Sequence, residues 1–254
     1  MERRSYSQQV CVKRSGLALQ RAGALWPGAR IGIALSGGVD SLTLLKILRI
    51  RQAILPFAIE LMALHLNPGF DCADHLQLAD WLAGQGISSH IEITDYGPRA
   101  HSAENRKKSP CFYCAWLRRK RLFELCKQYR LTHLAFGHNA DDMAATFMLN
   151  SFRNGRIQTL GIAEGFFDNS LLVIRPLLLV EKRYIRQAAR KWQLPFWQNA
   201  CPTSGKTARS EMDAILEDIS LKLPEARKSL VSALGRRELE LAARHRPEAE
   251  NTEQ

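Results

Sequence analysis

The sequence predicts an α/β protein built on a doubly wound parallel sheet of about five strands. From Arg30 onward, short apolar segments alternate with amphipathic ones, which indicates repeated β–α units. A glycine-rich turn also joins the first predicted strand to its helix. Sheets of this class are covered by helices on both faces and bind ligands at the carboxyl ends of their strands. With 46% apolar residues, a chain of 254 residues can build such a core.

The predicted elements follow from periodicity and from helix start and stop signals. A weakly amphipathic N-terminal helix is predicted to end at Trp26-Pro27-Gly28. The predicted strands are 31–35, 59–66, 87–94, 133–136 and 171–174. Helices are predicted over 42–54, 71–83, 112–129, 140–152 and 208 to about 244, the last broken at Leu223-Pro224. We therefore predict a helical extension (1–29), a catalytic domain (30–206) and a helical region (207–254), whose tail, 246–254, is expected to fray.

The turn Ser36-Gly37-Gly38-Val39-Asp40-Ser41 is the feature around which the predicted domain is organised. Glycine has no Cβ, so the turn can be tight and its N–H groups can approach a ligand. The following helix directs unpaired N–H groups and the positive end of its dipole at the turn, which favours phosphate. A Walker A loop would need a lysine that is absent here. Asp40 is expected to hold Mg²⁺ or to fix the loop, or to be a first-turn carboxylate favoured by the dipole.

Three cysteines form a second group of candidate residues. Cys111 and Cys114 have CxxC spacing at the start of a predicted helix, and Cys201 lies in a loop far along the chain. Six cysteines are too few for a disulfide scaffold in a chain of this length. The three thiols suit a [4Fe-4S] cluster, a zinc ion completed by His101 or His138, or a redox pair, and the residues alone leave these alternatives open. The helix N-terminus and nearby basic residues predict lowered thiol pKa values.

The segment Gly137-His138-Asn139-Ala140-Asp141-Asp142 joins the fourth predicted strand to its helix. Because the carboxyl ends of parallel strands meet at one edge, we expect it beside the Ser36–Ser41 turn, with Gly137 next to a ligand bound there. Asp142, and less strongly Asp141, is expected to orient substrate or metal, although both also suit the first turn of a helix. His138 is expected to be either a general acid or a satisfied loop histidine.

The charge of the chain favours a polyanionic partner. The formal net charge is +11 and the isoelectric point is about 9.7, as is typical of nucleic-acid-binding proteins. Several basic runs flank the cysteines, so an RNA track is expected there. No apolar run reaches the ~18 residues of a membrane span, and no apolar stretch follows the early charged residues. A cytoplasmic protein without membrane attachment is therefore expected.

Taken in order, these motifs resemble the PP-loop ATP pyrophosphatase superfamily, and within it the tRNA thiolation enzymes of the TtcA/TtuA type (tRNA 2-thiocytidine synthetase-like). The similarity runs from about Leu17 to Ile219. It rests on the Ser36–Ser41 turn, the Pro-Cys-x-x-Cys segment, Gly-His-x-x-Asp-Asp, Ile-Arg-Pro-Leu and the third cysteine. The resemblance implies an adenine nucleotide alpha hydrolase-like fold and a [4Fe-4S] cluster ligated by Cys111, Cys114 and Cys201.

The activity implied by the resemblance is ATP-dependent tRNA thiolation. A base carbonyl oxygen would be adenylated with release of pyrophosphate, and sulfur from sulfide or a persulfide carrier would then replace it. The implied catalytic residues are Asp40, Asp142, Cys111, Cys114 and Cys201. The implied nucleotide-binding residues, with ATP and Mg²⁺, are Ser36, Gly37, Gly38, Val39, Asp40, Ser41 and Gly137. A homodimer is implied only by the resemblance.

The sequence departs from that family in two respects, and these departures keep two other functions open. Val39 stands where the cytidine-thiolating branch usually has lysine. The zinc-binding CxxC pairs of the TtuA branch have no counterpart here. The alternatives are a PP-loop thiolase or ligase acting on a small molecule, and a zinc or redox protein whose ATP site is degenerate.

Overall fold

The computed structural model describes residues 4–70, 74–106, 109–197, 201–203, 205 and 207–244. The elements of the amino-terminal half are α1 (Tyr6–Arg21), β1 (Arg30–Leu35), α2 (Val39–Ile54), β2 (Glu60–Asn67), α3 (Asp74–Gly84), β3 (Ser89–Ile93), α4 (Tyr96–Ala100) and α5 (Pro110–Gln128). They are followed by β4 (His133–Ala135), α6 (Ala140–Asn154), β5 (Ala163–Phe166), β6 (Leu171–Ile174), α7 (Lys182–Lys191), α8 (Ala208–Lys222) and α9 (Ala226–Arg244).

A single mostly parallel sheet organises the fold. Within the described ranges it has six strands in the order β3-β2-β1-β4-β6-β5. Strands β1 and β4 are parallel neighbours, with Ile33 of β1 beside Ala135 of β4. The strand order reverses between them, and this switch point is where α/β sheets bind ligands. The loops that follow β1 and β4 are therefore placed side by side.

The α/β fold class is confirmed, and the described residues form six strands where about five are predicted. The five predicted strands are all present, and their ends move by at most two residues. The additional strand, β5, pairs antiparallel with β6 at the edge of the sheet. Its four residues, Ala-Glu-Gly-Phe, include a charge and a glycine, so it has no apolar pattern to detect. Residues 71–73 of one predicted helix and the predicted tail, 246–254, lie outside the described residues.

The core covers both faces of the sheet. One cluster packs Ile31 and Ile33 of β1 against the apolar face of α2, and a second packs Leu64 of β2 against Leu125 of α5. Helices α1, α8 and α9 bury side chains in the first cluster, so the terminal helices share the core of the sheet.

The division of the chain into a helical extension (1–29), a catalytic domain (30–206) and a helical region (207–254) stays a prediction. Across the described residues, no helix is both long and apolar enough to span a membrane.

Candidate active site

The Ser36–Ser41 turn is preformed by hydrogen bonds of its own serines. Gly37 has φ +80°, a left-handed conformation that glycine adopts without strain. The Ser36 amide donates to Ser41 Oγ at 3.2 Å, and Ser41 Oγ donates to the Gly38 carbonyl at 2.8 Å. Gly38 is the N-cap of α2, and no side chain caps that helix. The first amides of α2 therefore keep their donors for a ligand, and the turn is arranged to hold an anion.

The loop after β4 packs directly on this turn, as the sequence predicts. A Cβ on Gly137 would lie 3.2 Å from the backbone of Asp40 and Ser41, so only glycine fits without displacing the turn. Asn139 is 1% exposed and caps α6 by accepting from the amides of Asp141 (3.0 Å) and Asp142 (3.1 Å). Its Nδ2 donates to Asp40 Oδ2 at 3.4 Å. Asn139 thus joins the two loops, a role the sequence analysis missed although a cap before two acids was a readable signal.

Asp40 is a largely buried carboxylate at the centre of the site. Its pKa is raised from 3.8 to about 6, mainly by burial and also by the charges of Asp142 and Asp141, while Lys182 and Arg186 oppose the shift. Its Oδ1 is buried and accepts no hydrogen bond from the described residues. An unsatisfied carboxylate oxygen in this position is suited to a cation such as Mg²⁺.

The two acids of the second loop have different roles. Asp141 is held by structure, because Oδ2 accepts from the Lys182 amide at 2.7 Å and Oδ1 from Arg227 Nη1 at 2.6 Å. Asp142 uses Oδ2 to accept from the Asn139 amide at 3.0 Å, and its Oδ1 lies 4.0 Å from Arg209. Asp142 is therefore partly a capping residue, and its second oxygen faces the site. Helix α8 supplies Arg209, which the sequence analysis did not identify.

His138 is a neutral histidine among arginines. Its pKa is lowered to about 3, mainly by burial and also by the charges of Arg175, Arg209 and Arg119. This pKa argues against the general-acid interpretation of His138, because the imidazolium that would donate the proton is scarcely populated at neutral pH. Arg175 is almost fully buried and is held by Glu164 at 3.1 Å and the Gly161 carbonyl at 2.7 Å. These guanidinium groups make the loop after β4 a region of positive potential, which attracts an anion.

The three predicted cysteines lie together. Cys111 Sγ and Cys201 Sγ each lie 3.3 Å from Thr203 Oγ1, so the two sulfur atoms are within twice that distance of each other. Burial raises the pKa of Cys114, and the charges of Cys201 and Cys111 also raise it while Arg118 lowers it. The prediction of a lowered pKa is thus wrong for Cys114, because burial and two neighbouring thiols outweigh the helix N-terminus.

Two other cysteines of the described residues, and the histidines considered as metal ligands, have different surroundings. Burial raises the pKa of Cys11 and of Cys126 to about 12, so both are unreactive core thiols. His101 packs on Phe70 with ring centroids 5.5 Å apart, and His138 packs on Phe136 at 5.6 Å. Among the residues that the structure describes, no group of three or more His, Cys, Asp or Glu is arranged to hold a metal ion.

Trp197 connects the thiols to the nucleotide turn. Its amide donates to the Gly37 carbonyl at 3.1 Å, and its indole Nε1 donates to Gln77 of α3 at 2.6 Å. Cys201 follows only four residues later, so its Cα lies within ~14 Å of Trp197 at full extension. Trp197 and Trp192 pack against the core, whereas Phe112 and Trp116, at the start of α5, are 53% and 47% exposed. The turn and the thiols therefore share one edge of the sheet.

Comparison with known proteins agrees with this arrangement. Residues 13–213 match the family model of the PP-loop domain. The chain belongs to the PP-loop family. Its curated relatives include tRNA-cytidine(32) 2-sulfurtransferases from Geobacter sulfurreducens (33% identical, covering 87% of this chain and 86% of the relative) and Acidovorax ebreus (31% identical, covering 92% and 75%).

Solved structures share the fold at lower identity. The U34-tRNA thiolase NcsA from Methanococcus maripaludis, solved with its [4Fe-4S] cluster, superimposes with a TM-score of 0.72 at 22% identity, covering 92% of this chain and 80% of that protein. An NH3-dependent NAD synthetase from Campylobacter jejuni gives a TM-score of 0.51 at 14% identity, covering 96% and 99%. These two likenesses support the PP-loop fold, and the Ser36–Ser41 turn is the PP-loop of this chain.

Proposed function

We propose that this PP-loop protein replaces a base carbonyl oxygen of tRNA by sulfur at the expense of ATP. The sulfurtransferase class is that of the curated relatives, which are at least 30% identical over most of this chain. The observation that carries the rest is the meeting of Cys111, Cys114 and Cys201 at the edge of the sheet that also bears the PP-loop. Thiolation needs two things: ATP to convert the carbonyl oxygen into a leaving group, and a site that holds sulfur. A nucleotide-binding loop beside three thiols provides both.

The first step uses the PP-loop and Asp40. The amides at the start of α2 would hold the β- and γ-phosphates of ATP, and Asp40 would hold a Mg²⁺ ion that neutralises the phosphate charge. The base carbonyl oxygen attacks the α-phosphorus, the bond to the bridging oxygen breaks, and pyrophosphate leaves. Asn139 fixes the orientation of Asp40 through its 3.4 Å hydrogen bond. Positioning and neutralisation of charge account for most of the catalysis.

The arginines around His138 bind the adenylate. Arg119 and Arg209 stabilise negative charge on the α-phosphate, and the neutral ring of His138 contributes hydrogen bonding without transferring a proton. Asp142, held by its capping contact, orients the substrate with its second oxygen. Lys182, whose charge acts on Asp40, supplies the cation that Val39 cannot.

The chemistry of the cysteine site suits an iron–sulfur cluster, because its donors are three thiols, the ligands that such clusters take. The three sulfur atoms, which belong to described residues, are not arranged around a common metal position in this structure. Burial raises the pKa of Cys114, and the Arg118 charge beside it opposes that effect. A [4Fe-4S] cluster held by three cysteines would supply one iron open to sulfide. In the second step sulfide forms a bond to the base carbon as the carbon–oxygen bond breaks, AMP leaves and the sulfide proton passes to solvent. With a persulfide carrier as donor, the outer sulfur would form that bond first, and a second thiol would then break the sulfur–sulfur bond and leave a disulfide.

The target base is proposed from the relatives. Those of G. sulfurreducens and A. ebreus are named for cytidine 32 of tRNA, so we infer cytidine as the base and its 2-carbonyl as the site of exchange. Mass spectrometry of nucleosides from treated tRNA tests this directly. 2-Thiocytidine would support the assignment, and 2-thiouridine would replace it.

The first experiment is metal analysis of protein purified without oxygen, followed by turnover. About four irons with labile sulfide are expected for one [4Fe-4S] cluster. Cys201→Ala should lose the iron, whereas Cys11→Ala, which alters a thiol buried in α1, should keep it. Release of AMP and pyrophosphate should depend on tRNA. One zinc per chain without iron would refute the [4Fe-4S] assignment. Pyrophosphate release that does not depend on tRNA would favour a reaction on a small molecule.

A further inference from the structure

A cavity of about 700 Å³ lies between the C-terminal half of α5 and the β5–β6 hairpin. Its apolar wall is made by Phe123 of α5, Phe167 of the hairpin turn, Leu131 and Leu171. Leu131 precedes β4, and Leu171 begins β6, so the cavity stands at the amino ends of these strands. That edge is opposite the PP-loop, and no step proposed above uses this cavity.

The rim of the cavity is positively charged. Lys120, Lys127 and Arg130 line it, and all three are exposed. The carboxylate in the lining, Glu124, is neutralised by Arg121 at 3.1 Å. A mostly apolar wall under a cationic rim is complementary to a nucleotide, whose base has two flat faces and whose phosphate is an anion.

Two residues that line the cavity, Phe167 and Arg130, have an unfavourable backbone conformation. Phe167 has φ +53° and Arg130 has φ +51°, a left-handed conformation that disfavours residues with a bulky side chain. Phe167 is 61% exposed and meets Phe123 edge to face, with ring centroids 5.4 Å apart at 89°. Arg130 follows the C-terminus of α5, where glycine or asparagine is usual. A large aromatic face is thus presented to solvent beside a cationic rim.

We propose that this cavity binds an unpaired nucleotide of the tRNA away from the modified base, with the base against Phe167 and the phosphate on Lys127 and Arg130. This inference rests on the proposed function. Thirteen residues of α5 separate Cys114 from Lys127, about 20 Å at 1.5 Å per residue. A tRNA arm covers that distance within several nucleotide steps. Helix α5 would then carry the thiols at one end and an RNA anchor at the other.

The test is the affinity of the full chain for an unmodified tRNA transcript, by fluorescence anisotropy at several salt concentrations. Phe167→Asn and Arg130→Gly remove the side chains and install residues that accept the left-handed backbone, so melting temperatures should hold or rise. Phe167→Asn should weaken binding about tenfold, the loss expected for one base–aromatic stack. Arg130→Gly should lower the slope of log Kd against log salt by about one. Lys222→Gln, on the exposed face of α8, is the control.

Each other outcome overturns the inference in a distinguishable way. Wild-type affinity and salt slope in both variants, with thiolation retained, would refute the anchor and leave the proposed function standing. Wild-type protein that binds no tRNA at near-physiological salt would remove the proposed function and the anchor together. If AMP binds to wild type but not to Phe167→Asn, while tRNA affinity is equal, the cavity takes a free nucleotide instead.

Discussion

Asp40 is a carboxylate that the fold holds at a cost, and Asp40→Asn should therefore stabilise the protein while inactivating it. A pKa displaced from 3.8 to about 6 by burial corresponds to about 3 kcal/mol against the ionised form, at ~1.36 kcal/mol per pKa unit. Asparagine keeps an oxygen for the contact with Asn139. At pH 8 the free energy of unfolding should rise by about 1–3 kcal/mol, or roughly 3–8 °C in Tm for a chain of this size.

The pH dependence of this gain has a defined sign. Because the pKa of Asp40 is raised in the folded state, the protonated carboxyl stabilises the fold below about pH 4, and that contribution is lost as pH rises through about 6. The gap between variant and wild type should be widest at pH 8, about half as large at pH 5 and nearly closed at pH 4. Urea denaturation at each pH measures it, and Asp218→Asn, an exposed acid on α8, is the control.

Ligand binding gives the second half of the assay. Mg²⁺·ATP at about 100 times its Kd should add ~2.7 kcal/mol to the wild type and much less to Asp40→Asn. Pyrophosphate release should be lost in the variant. The reasoning would be refuted by a variant less stable than wild type at pH 8, or by a stability gap that does not change with pH. Wild-type pyrophosphate release by the variant would remove Asp40 from the chemistry.

Substitutions at three other positions separate packing from chemistry. Gly137→Ala forces a methyl group against the PP-loop backbone, so it should lower the free energy of unfolding by about 1–3 kcal/mol and weaken ATP binding. Calorimetry measures both variants, and the control is Gly84→Ala, whose added methyl group meets nothing within 4 Å and should leave the free energy of unfolding unchanged. Asp141→Asn breaks the ion pair with Arg227 and should lower Tm by a few degrees while kcat is kept; lost kcat at unchanged Tm would give Asp141 a chemical role. His138→Gln should leave the shape of the pH–rate profile unchanged between pH 5.5 and 8, because the pKa of His138 is about 3, and a limb that disappears in the variant would show that the ring titrates.

The parts of the fold that the sequence predicts are those with a local hydrophobic pattern or a motif. The buried strands of the parallel sheet are apolar, so their positions were recoverable from residues 31–35 and 133–136 to within a residue. The PP-loop and Gly137 followed, since the topology of β–α units puts both loops at one edge. Strand β5 gives no such signal. It lies at the edge of the sheet and pairs on one side only, and Glu164 and Gly165 interrupt any alternation of apolar residues.

Tertiary environment determined what the sequence could not predict. The helix N-terminus before Cys114 predicts a lowered pKa, but the packing that buries this thiol beside two others is invisible in the local sequence. The same is true of His138, whose pKa is lowered mainly by burial and also by arginines that are distant from it in the sequence. Trp197 illustrates a third case, since nothing in its local sequence indicates the backbone contact with Gly37.

That contact has a consequence for how the cysteine site is assembled. Cys111 and Cys114 both stand on α5, whereas Cys201 is four residues along the chain from Trp197, whose amide donates to the Gly37 carbonyl of the PP-loop. That covalent separation keeps the Cα of Cys201 within ~14 Å of a backbone position fixed at the PP-loop. Confinement to so short a distance corresponds to an effective concentration of about millimolar or above for the third thiol. Loss of the Trp197–Gly37 hydrogen bond would remove this confinement, so the integrity of the thiol site depends on one backbone hydrogen bond of the nucleotide loop.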